Sequence, residues 1–377
     1  MKRILIVGGG FAGLSAARRL GRLRGRVEVV LFDPRPASEF LPLLPDVAGG
    51  RIGGERLRYS LQAAARRFGF RFVQAEVSKI DLANRRVGGG FDEEAGDGLL
   101  IACGSHTDFY GNRELAARAL TLDCVADGER IAAAVRDGGW QTFLVCGGGY
   151  TGIEIATHLK NRLRHAQDRR QVVLVEREER VLKGLPESLR RYAEDNLQRC
   201  GIEVRCGRTV EELAEEAVVL DNGERLPKTL LIWSAGVRTP QLLDGLPGER
   251  VGQSRLPVDQ NLRFAPGCFA AGDAAGFQWQ GRPLRMGIQF SLKQGARAAD
   301  NLWRELDNRA ARPFRPFDPG YIVPMANHRS CGRVLGVRTR GRPATFLHYF
   351  MCLYRTWGLR NRLGATRDLL LPGRSEP

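Results

Sequence analysis

Short apolar runs closed by glycine recur along this chain, and they predict buried strands that turn sharply into helices. Ile4-Leu5-Ile6-Val7 breaks at Gly8-Gly9-Gly10 and passes into Phe11-Ala12-Gly13-Leu14-Ser15-Ala16-Ala17-Arg18-Arg19-Leu20, which continues at helical spacing. Val27-Glu28-Val29-Val30-Leu31-Phe32 reads as the next strand and ends at Asp33. The succession then returns. Thr142-Phe143-Leu144-Val145-Cys146 leads into Gly147-Gly148-Gly149-Tyr150-Thr151-Gly152-Ile153-Glu154, a helix to about residue 163, and a strand 171–176 ending at Glu176. Leu99 to Ser105 and Leu230 to Gly236 correspond in the two halves, each a strand running into small residues. Between these landmarks the pattern predicts helices over 55–68, 126–135 and 186–200, strands over 70–77 and 202–206, and a β-meander from Asp81 to Val87. Asn222-Gly223 marks a hairpin turn. Phe40 to Gly50, with three leucines and two prolines, is expected to be an apolar loop.

The glycines carry the first chemistry. Gly8, Gly10 and Gly13 fit G-x-G-x-x-G, and Gly147, Gly149 and Gly152 fit it again. In such a motif the first glycine makes the strand-to-helix turn, the second lets a pyrophosphate approach the backbone, and the third packs helix on strand. Asp33 stands 20 residues after Gly13 and Glu176 closes the equivalent strand, each placed to bind adenosine ribose hydroxyls. Phe11, Ala12, Tyr150 and Thr151 complete the two turns. One fingerprint is weak evidence; two complete βαβ units imply two dinucleotides and suggest electron transfer between a bound flavin and a nicotinamide. Cys268 to Ala275 delivers Gly272-Asp273 at a turn, where the carboxylate is expected to accept a hydrogen bond from a polyol chain. The helix beginning near Gly287 aims its N-terminus at the same region, which would stabilise negative charge on a reduced flavin.

Composition narrows the class. At 377 residues and 43% hydrophobic content the chain is globular, with room for two or three domains. No apolar run is long enough to span a bilayer, and the opening residues read as a first strand rather than a signal peptide, so a cytoplasmic location is expected. Of the eight cysteines none form C-x-x-C, which leaves zinc, iron–sulfur and thioredoxin-like readings without support and no metal expected. The C-x-x-x-x-C pair that disulfide-reducing flavoenzymes carry after the first βαβ unit is absent as well. The net charge is +16, and residues 309–377 hold thirteen arginines against Asp318, Asp368 and Glu376, a local excess of +10. No recognition motif for nucleic acid accompanies this charge, so no nucleic-acid partner is expected; an anionic membrane surface suits it better. Phe346, Tyr349, Phe350, Leu353 and Trp357 recur at helical spacing as one aromatic stripe with Arg355, Arg360 and Arg362 nearby. Such a helix would lie on a membrane interface, pack on the core, or join a second copy.

With these residues in view the chain resembles the type II NADH:quinone oxidoreductases over almost its whole length. The resemblance rests on Gly8 to Leu14, the Phe40 to Gly50 loop, Ile101-Ala102-Cys103-Gly104-Ser105, Gly147 to Glu154, Ile232-Trp233-Ser234-Ala235-Gly236-Val237 and Ala271-Gly272-Asp273-Ala274. Gln289 to Gly295 looks like the family's A-Q-x-A-x-Q-Q-G quinone motif, with Ile288, Ser291 and Lys293 in place of Ala, Ala and the first Gln of the pair. The resemblance implies an α/β fold of two Rossmann-like dinucleotide-binding domains plus a C-terminal α+β membrane-docking segment. FAD would take 1–110 and 255–310, NADH would take 111–254, and docking would fall to 311–377. It implies FAD contacts at Pro42, Leu43, Ala102, Gly104, Gly272, Asp273 and Gln289 beside the first fingerprint, and NADH contacts at Ala235 and Gly236 beside the second. Glu154, Gln289, Lys293 and Gln294 would be the catalytic residues, with NADH and a quinone as substrates. The protein would sit peripherally on the inner face of the cell membrane, and a homodimer is left open. A rival reading is a sulfide:quinone oxidoreductase using Cys124 and Cys331. Others are an NADH-dependent reductase of a soluble carrier and a flavoprotein whose reduced state regulates a partner.

Overall fold

The computed structural model describes residues 1–371 apart from Glu216; Arg374 and Glu376, counted in the C-terminal charge, lie outside the described residues. The chain divides into two compact units, the first formed by Met1–Ser38, Tyr59–His106 and Val237–Asp318, the second by Glu39–Arg58, Thr107–Gly236 and Pro319–Pro377.

In the first unit a six-stranded sheet runs in the order Arg263–Ala265, Cys268–Ala270, Gly98–Ile101, Lys2–Val7, Val27–Phe32, Arg71–Val73. Its strands are parallel except for the antiparallel edge Arg263–Ala265. Ile4 to Val7 are buried on both faces, as a central parallel strand requires. The chain leaves Lys2–Val7 to one side and returns on the other, so the strand order reverses where Gly8 stands. Helix Phe11–Leu20 lays Leu14, Ala16, Ala17 and Leu20 on the sheet, and burying each leucine contributes about 2 kcal/mol. Helix Ile288–Leu306 crosses it closely. A Cβ on Gly295 would stand 2.1 Å from the Ala12 carbonyl oxygen, so only glycine fits that crossing.

Two expectations in this stretch change. The single helix over 55–68 is instead a 3-10 turn Gly54–Leu57, a strand Arg58–Ser60 and a helix Leu61–Phe68. The helix restarts because the Ser60 hydroxyl accepts from the Ala63 N–H at 3.2 Å and caps it. The strand over 70–77 shrinks to Arg71–Val73, and Val77–Asp81 instead joins Arg86–Gly89 and Glu94–Ala95 in an antiparallel sheet.

The second unit repeats the plan with four parallel strands in the order Glu203–Cys206, Gln171–Glu176, Thr142–Cys146, Thr229–Trp233. Here the order reverses at Gly147. Helices Val125–Arg136, Tyr150–His165 and Glu187–Cys200 contribute to its core, and Gly223 turns the Asn222-Gly223 hairpin at φ +81°. A three-stranded antiparallel sheet, Gly320–Val323, Cys331–Val334 and Val337–Arg340, precedes helices Arg342–Arg355 and Leu359–Leu370. This is the expected C-terminal α+β part. Among the described residues no helix is long and apolar enough to cross a membrane.

The Phe40 to Gly50 stretch is not a loop. It forms a 3-10 turn Leu41–Leu43 and a short helix Leu44–Ala48. Pro42 and Pro45 stand in the first turns, where a missing N–H is no loss, while Leu43, Leu44, Val47 and Ala48 are buried. The single aromatic stripe on the C-terminal helix is also corrected. Phe346, Phe350 and Tyr354 face solvent at four-residue spacing. Tyr349 turns inward, and Leu353 and Trp357 are half-buried.

Candidate functional site

Each unit carries a cradle built from its own glycines. In the first, Gly8 holds φ +104°, and a Cβ there would meet the Ala102 carbonyl oxygen at 2.4 Å. A Cβ on Gly13 would lie 1.8 Å from the Gly8 carbonyl oxygen, whereas one on Gly10 would find nothing within 4 Å. The first and third glycines are thus forced by packing, and the second by nothing in the protein. That free space over the start of helix Phe11–Leu20 fits a pyrophosphate. The helix begins without a side-chain cap or an acidic residue in its first turn, as an anion site requires. Asp33 is buried, and its Oδ2 accepts from the Gly9 N–H at 2.7 Å while Oδ1 accepts from the Arg35 N–H at 2.9 Å. A carboxylate so held retains acceptor capacity for ribose hydroxyls.

The second cradle repeats this logic. Gly147 holds φ +112°, a Cβ on Gly152 would lie 1.8 Å from the Gly147 carbonyl oxygen, and Gly149 again faces open space. Helix Tyr150–His165, with Tyr150 and Thr151 exposed in its first turn, also starts uncapped and without an acidic residue there. Glu176 Oε2 accepts from the Gly148 N–H at 2.5 Å and Oε1 from the Glu178 N–H at 2.9 Å. The Ala235-Gly236 turn is pinned by the Trp233 indole N–H, which donates to the Ala235 carbonyl at 2.7 Å. Gly236 has φ +77°, and a Cβ there would meet the Tyr110 hydroxyl at 2.7 Å. Both cradles therefore fit a dinucleotide on their own geometry.

Beside the first cradle, Ser105 donates to Asp273 Oδ2 at 2.8 Å, joining the turn through Ala102 and Gly104 to the Gly272-Asp273 turn. Burial raises the Asp273 pKa, opposed by the Ser105 hydrogen bond and the Arg255 charge. The Gln294 side-chain oxygen accepts from the Gly272 N–H at 2.8 Å, so this expected catalytic residue positions the Gly272 turn. Lys293 is exposed and Gln289 half-buried on the same helix. Pro42 and Leu43, expected at the flavin, lie in the second unit, where Leu43 is fully buried.

Sequence reasoning did not bring one group of residues together. In the second unit the buried Asp46 accepts from Arg51 Nη1 and from the Tyr349 hydroxyl, both at 3.0 Å, and Arg51 also donates to that hydroxyl at 2.6 Å. His158 Nε2 lies 3.9 Å from Asp46 Oδ2. Glu154 precedes His158 by one helical turn, and its pKa is raised well above the ordinary carboxylate value by burial, then by the Asp46 charge. Burial holds His158 and His348 neutral, each with its pKa lowered to about 4. His348 Nε2 lies 3.6 Å from Cys352 Sγ. The available signal was Asp46 itself, a carboxylate in the apolar run Leu41 to Ala48.

The cysteines sit in unreactive settings. Cys331 is buried in the second unit's core with its thiol pushed up to about 11, and burial also raises the half-buried Cys124. Burial outweighs the Arg340 charge at Cys331, and Asp127 and Glu39 add negative charge at Cys124, so neither setting favours a thiolate nucleophile. Among the described residues no cluster could hold a metal ion.

With this geometry in place, comparison with known proteins is informative. The sequence signature of the pyridine nucleotide-disulphide oxidoreductases matches residues 2–298. A type II NADH:quinone oxidoreductase of Staphylococcus aureus is 24% identical over 373 residues, covering 92% of this chain and 93% of that protein. The demethylphylloquinone reductase NdbB of Synechocystis is 28% identical, covering 94% and 93%. The structure of NDH2 from Plasmodium falciparum in complex with NADH is similar at a TM-score of 0.86 and 14% identity, covering 98% and 97%. The sulfide:quinone oxidoreductase of Aquifex aeolicus is similar at a TM-score of 0.81 and 16% identity, covering 99% and 94%. At such identities the solved structures speak to the fold.

Proposed function

The chain belongs to the pyridine nucleotide-disulphide oxidoreductase family, and we propose that within it this is an FAD-dependent, non-proton-pumping NADH:quinone oxidoreductase. The observation that carries this reading is the pair of complete dinucleotide cradles in a chain without a redox-active C-x-x-x-x-C pair. FAD, when bound, supplies a two-electron acceptor that takes hydride from NADH and passes electrons to a quinone.

The chain's own residues do the rest. Gly8, Gly10 and Gly13, with Phe11 and Ala12, seat one pyrophosphate, and Asp33 orients its ribose. Ala102, Gly104, Gly272 and Asp273 line the same cofactor, with Asp273 held by Ser105. Gly147, Gly149, Gly152, Tyr150 and Thr151 seat NADH, with Ala235 and Gly236 closing its far side. Glu176 binds the adenosine ribose and repels the extra phosphate of NADPH. Glu154, its carboxyl pKa raised by burial and then by the Asp46 charge, is suited to hold a proton on the helix that starts the NADH site. Gln289 and Lys293 approach the quinone head group, while Gln294 fixes the Gly272 turn.

Membrane docking belongs to the C-terminal helices. Phe346, Phe350, Tyr354, Leu359, Leu363 and Leu370 are more than half exposed. Arg342, Arg360 and Arg367 are exposed on the same two helices. Amphipathic helices of this composition lie in the headgroup region of an anionic bilayer. NADH on the cytoplasmic side sets the inner face as their location.

An anaerobic flavin absorbance titration tests the proposal. NADH should bleach the purified protein and a short-chain quinone should restore it. Bleaching by sulfide alone would overturn the reading in favour of the sulfide-oxidising relative, and reduction by NADH without reoxidation by quinone would exclude a quinone acceptor.

A further inference from the structure

One concave feature of the first unit takes no part in that chemistry. A cavity of about 390 Å³ opens where helices Phe11–Leu20 and Ile288–Leu306 end. Arg19, Arg22 and Arg26 line it from the first helix and its following turn, and Arg297, Arg304, Arg309 and Arg312 from the second.

The charges present do not balance. Arg19 meets Asp300 at 2.6 Å, and Arg26 and Arg309 share Asp307 at 3.2 and 2.9 Å. Arg304 donates to the Ala310 carbonyl at 2.6 Å. Arg22, Arg297 and Arg312 have no acidic partner among the described residues, and Arg297 is half-buried. Two helix C-termini add about half a negative charge each. Seven arginines against two aspartates and those dipoles leave an excess of about +4 around a space about one Debye length across at ordinary salt.

The rim is also built rather than loose. Arg26 lies over the buried Trp303 ring at 4.9 Å, which fixes its guanidinium. Asn301, fully buried, accepts from the Arg312 N–H and donates to its carbonyl, both at 2.8 Å, and this pins the irregular segment that carries Arg312. A guanidinium fork suits phosphate bidentately. The half-open, concave shape and its small volume suit a compact ligand, where a nucleic-acid backbone would need an extended basic stripe.

We propose that this cavity is a binding site for a compact polyanion bearing two or more phosphate groups. It stands apart from the dinucleotide cradles and does not depend on the activity proposed above.

The test uses the flavin-loaded protein saturated with NADH, so that both cradles are filled. Calorimetric titration with inorganic triphosphate should show one saturable site that weakens as salt is raised. The double variant Arg22→Gln/Arg297→Gln, which touches neither cradle, should keep its flavin and melting temperature while losing triphosphate affinity about 100-fold or more. A second arm uses phosphatidylcholine vesicles containing phosphatidylinositol bisphosphate. Loss of binding in the variant toward triphosphate assigns a soluble ligand, and loss only toward the vesicles assigns a lipid headgroup; either supports the site. No saturable binding in either arm, or binding that the double variant leaves unchanged, would overturn it.

Discussion

Replacing Tyr349 with Phe removes one hydroxyl from the buried Asp46–Arg51 pair and leaves the ring in place. That hydroxyl donates to Asp46 Oδ1 at 3.0 Å and accepts from Arg51 Nη1 at 2.6 Å. Each bond to a charged group contributes about 1.5–3 kcal/mol. The direct contact between Arg51 and Asp46 at 3.0 Å survives, so neither charge is orphaned, and the Arg51 guanidinium keeps its place 5.2 Å over the ring. The net cost should therefore be about 2–3 kcal/mol, below the roughly 3–5 kcal/mol for breaking a buried pair outright. Arg51→Met should reach that larger value, because it leaves Asp46 buried without its counter-charge. Tyr349 sits on helix Arg342–Arg355 and Asp46 on Leu44–Ala48, so the loss should appear as opening of the C-terminal helix. Hydrogen exchange in 342–355 should accelerate about 30- to 150-fold, with a matching fall in the urea midpoint of the second unit. A change under about 0.5 kcal/mol in Tyr349→Phe would refute the reasoning, since it would mean that water already serves both charges.

The two cradles predict opposite outcomes for neighbouring glycines. Gly152→Ala should misfold the second unit, its Cβ falling 1.8 Å from a backbone oxygen, whereas Gly149→Ala should fold normally and lose NADH binding. Circular dichroism and NADH titration separate the two. Stability should also fall in acid. His158 and His348, lowered to about 4, stay neutral in the fold while the unfolded chain protonates them near pH 6.5. The unfolded state thus binds more protons between about pH 6.5 and 4, and each histidine removes up to about 3 kcal/mol across that window. Glu154, its pKa raised well above the ordinary carboxylate value in the fold, opposes the two histidines because the fold holds its proton more tightly than the unfolded chain does. Urea midpoints at several pH values should show the net slope, and His348→Gln should lower it. Exchanging Glu176 for Ala should lower the NADH-to-NADPH preference in steady-state rates; an unchanged ratio would remove Glu176 from the ribose. Phe346→Ser/Phe350→Ser should reduce sedimentation with anionic vesicles while leaving flavin content alone, because both rings are exposed and stack on each other at 6.1 Å.

What the sequence determined by itself was local and periodic. Apolar runs meeting G-x-G-x-x-G placed both βαβ units, and the carboxylates at the strand ends marked Asp33 and Glu176. Their hydrogen bonds from the Gly9 and Gly148 N–H groups follow from spacing that the backbone enforces within some thirty residues. Spacing also marked a helix over Phe346 to Trp357, while the α+β character of the C-terminal part came from the family resemblance. Wherever chain segments far apart had to meet, the sequence was silent. It could not show that Leu41 to Ala48 would coil into helical turns, because the burial of Leu43, Leu44 and Val47 against the second unit decides that. It could not tell that Tyr349 leaves the aromatic face to reach Asp46, 303 residues away, or that Gln294 would spend its side chain on the Gly272 N–H. Nor could it assemble seven scattered arginines around one cavity. Periodicity specifies which face of an element is buried; which partner then covers that face, and what charge comes with it, is fixed only when the chain closes on itself.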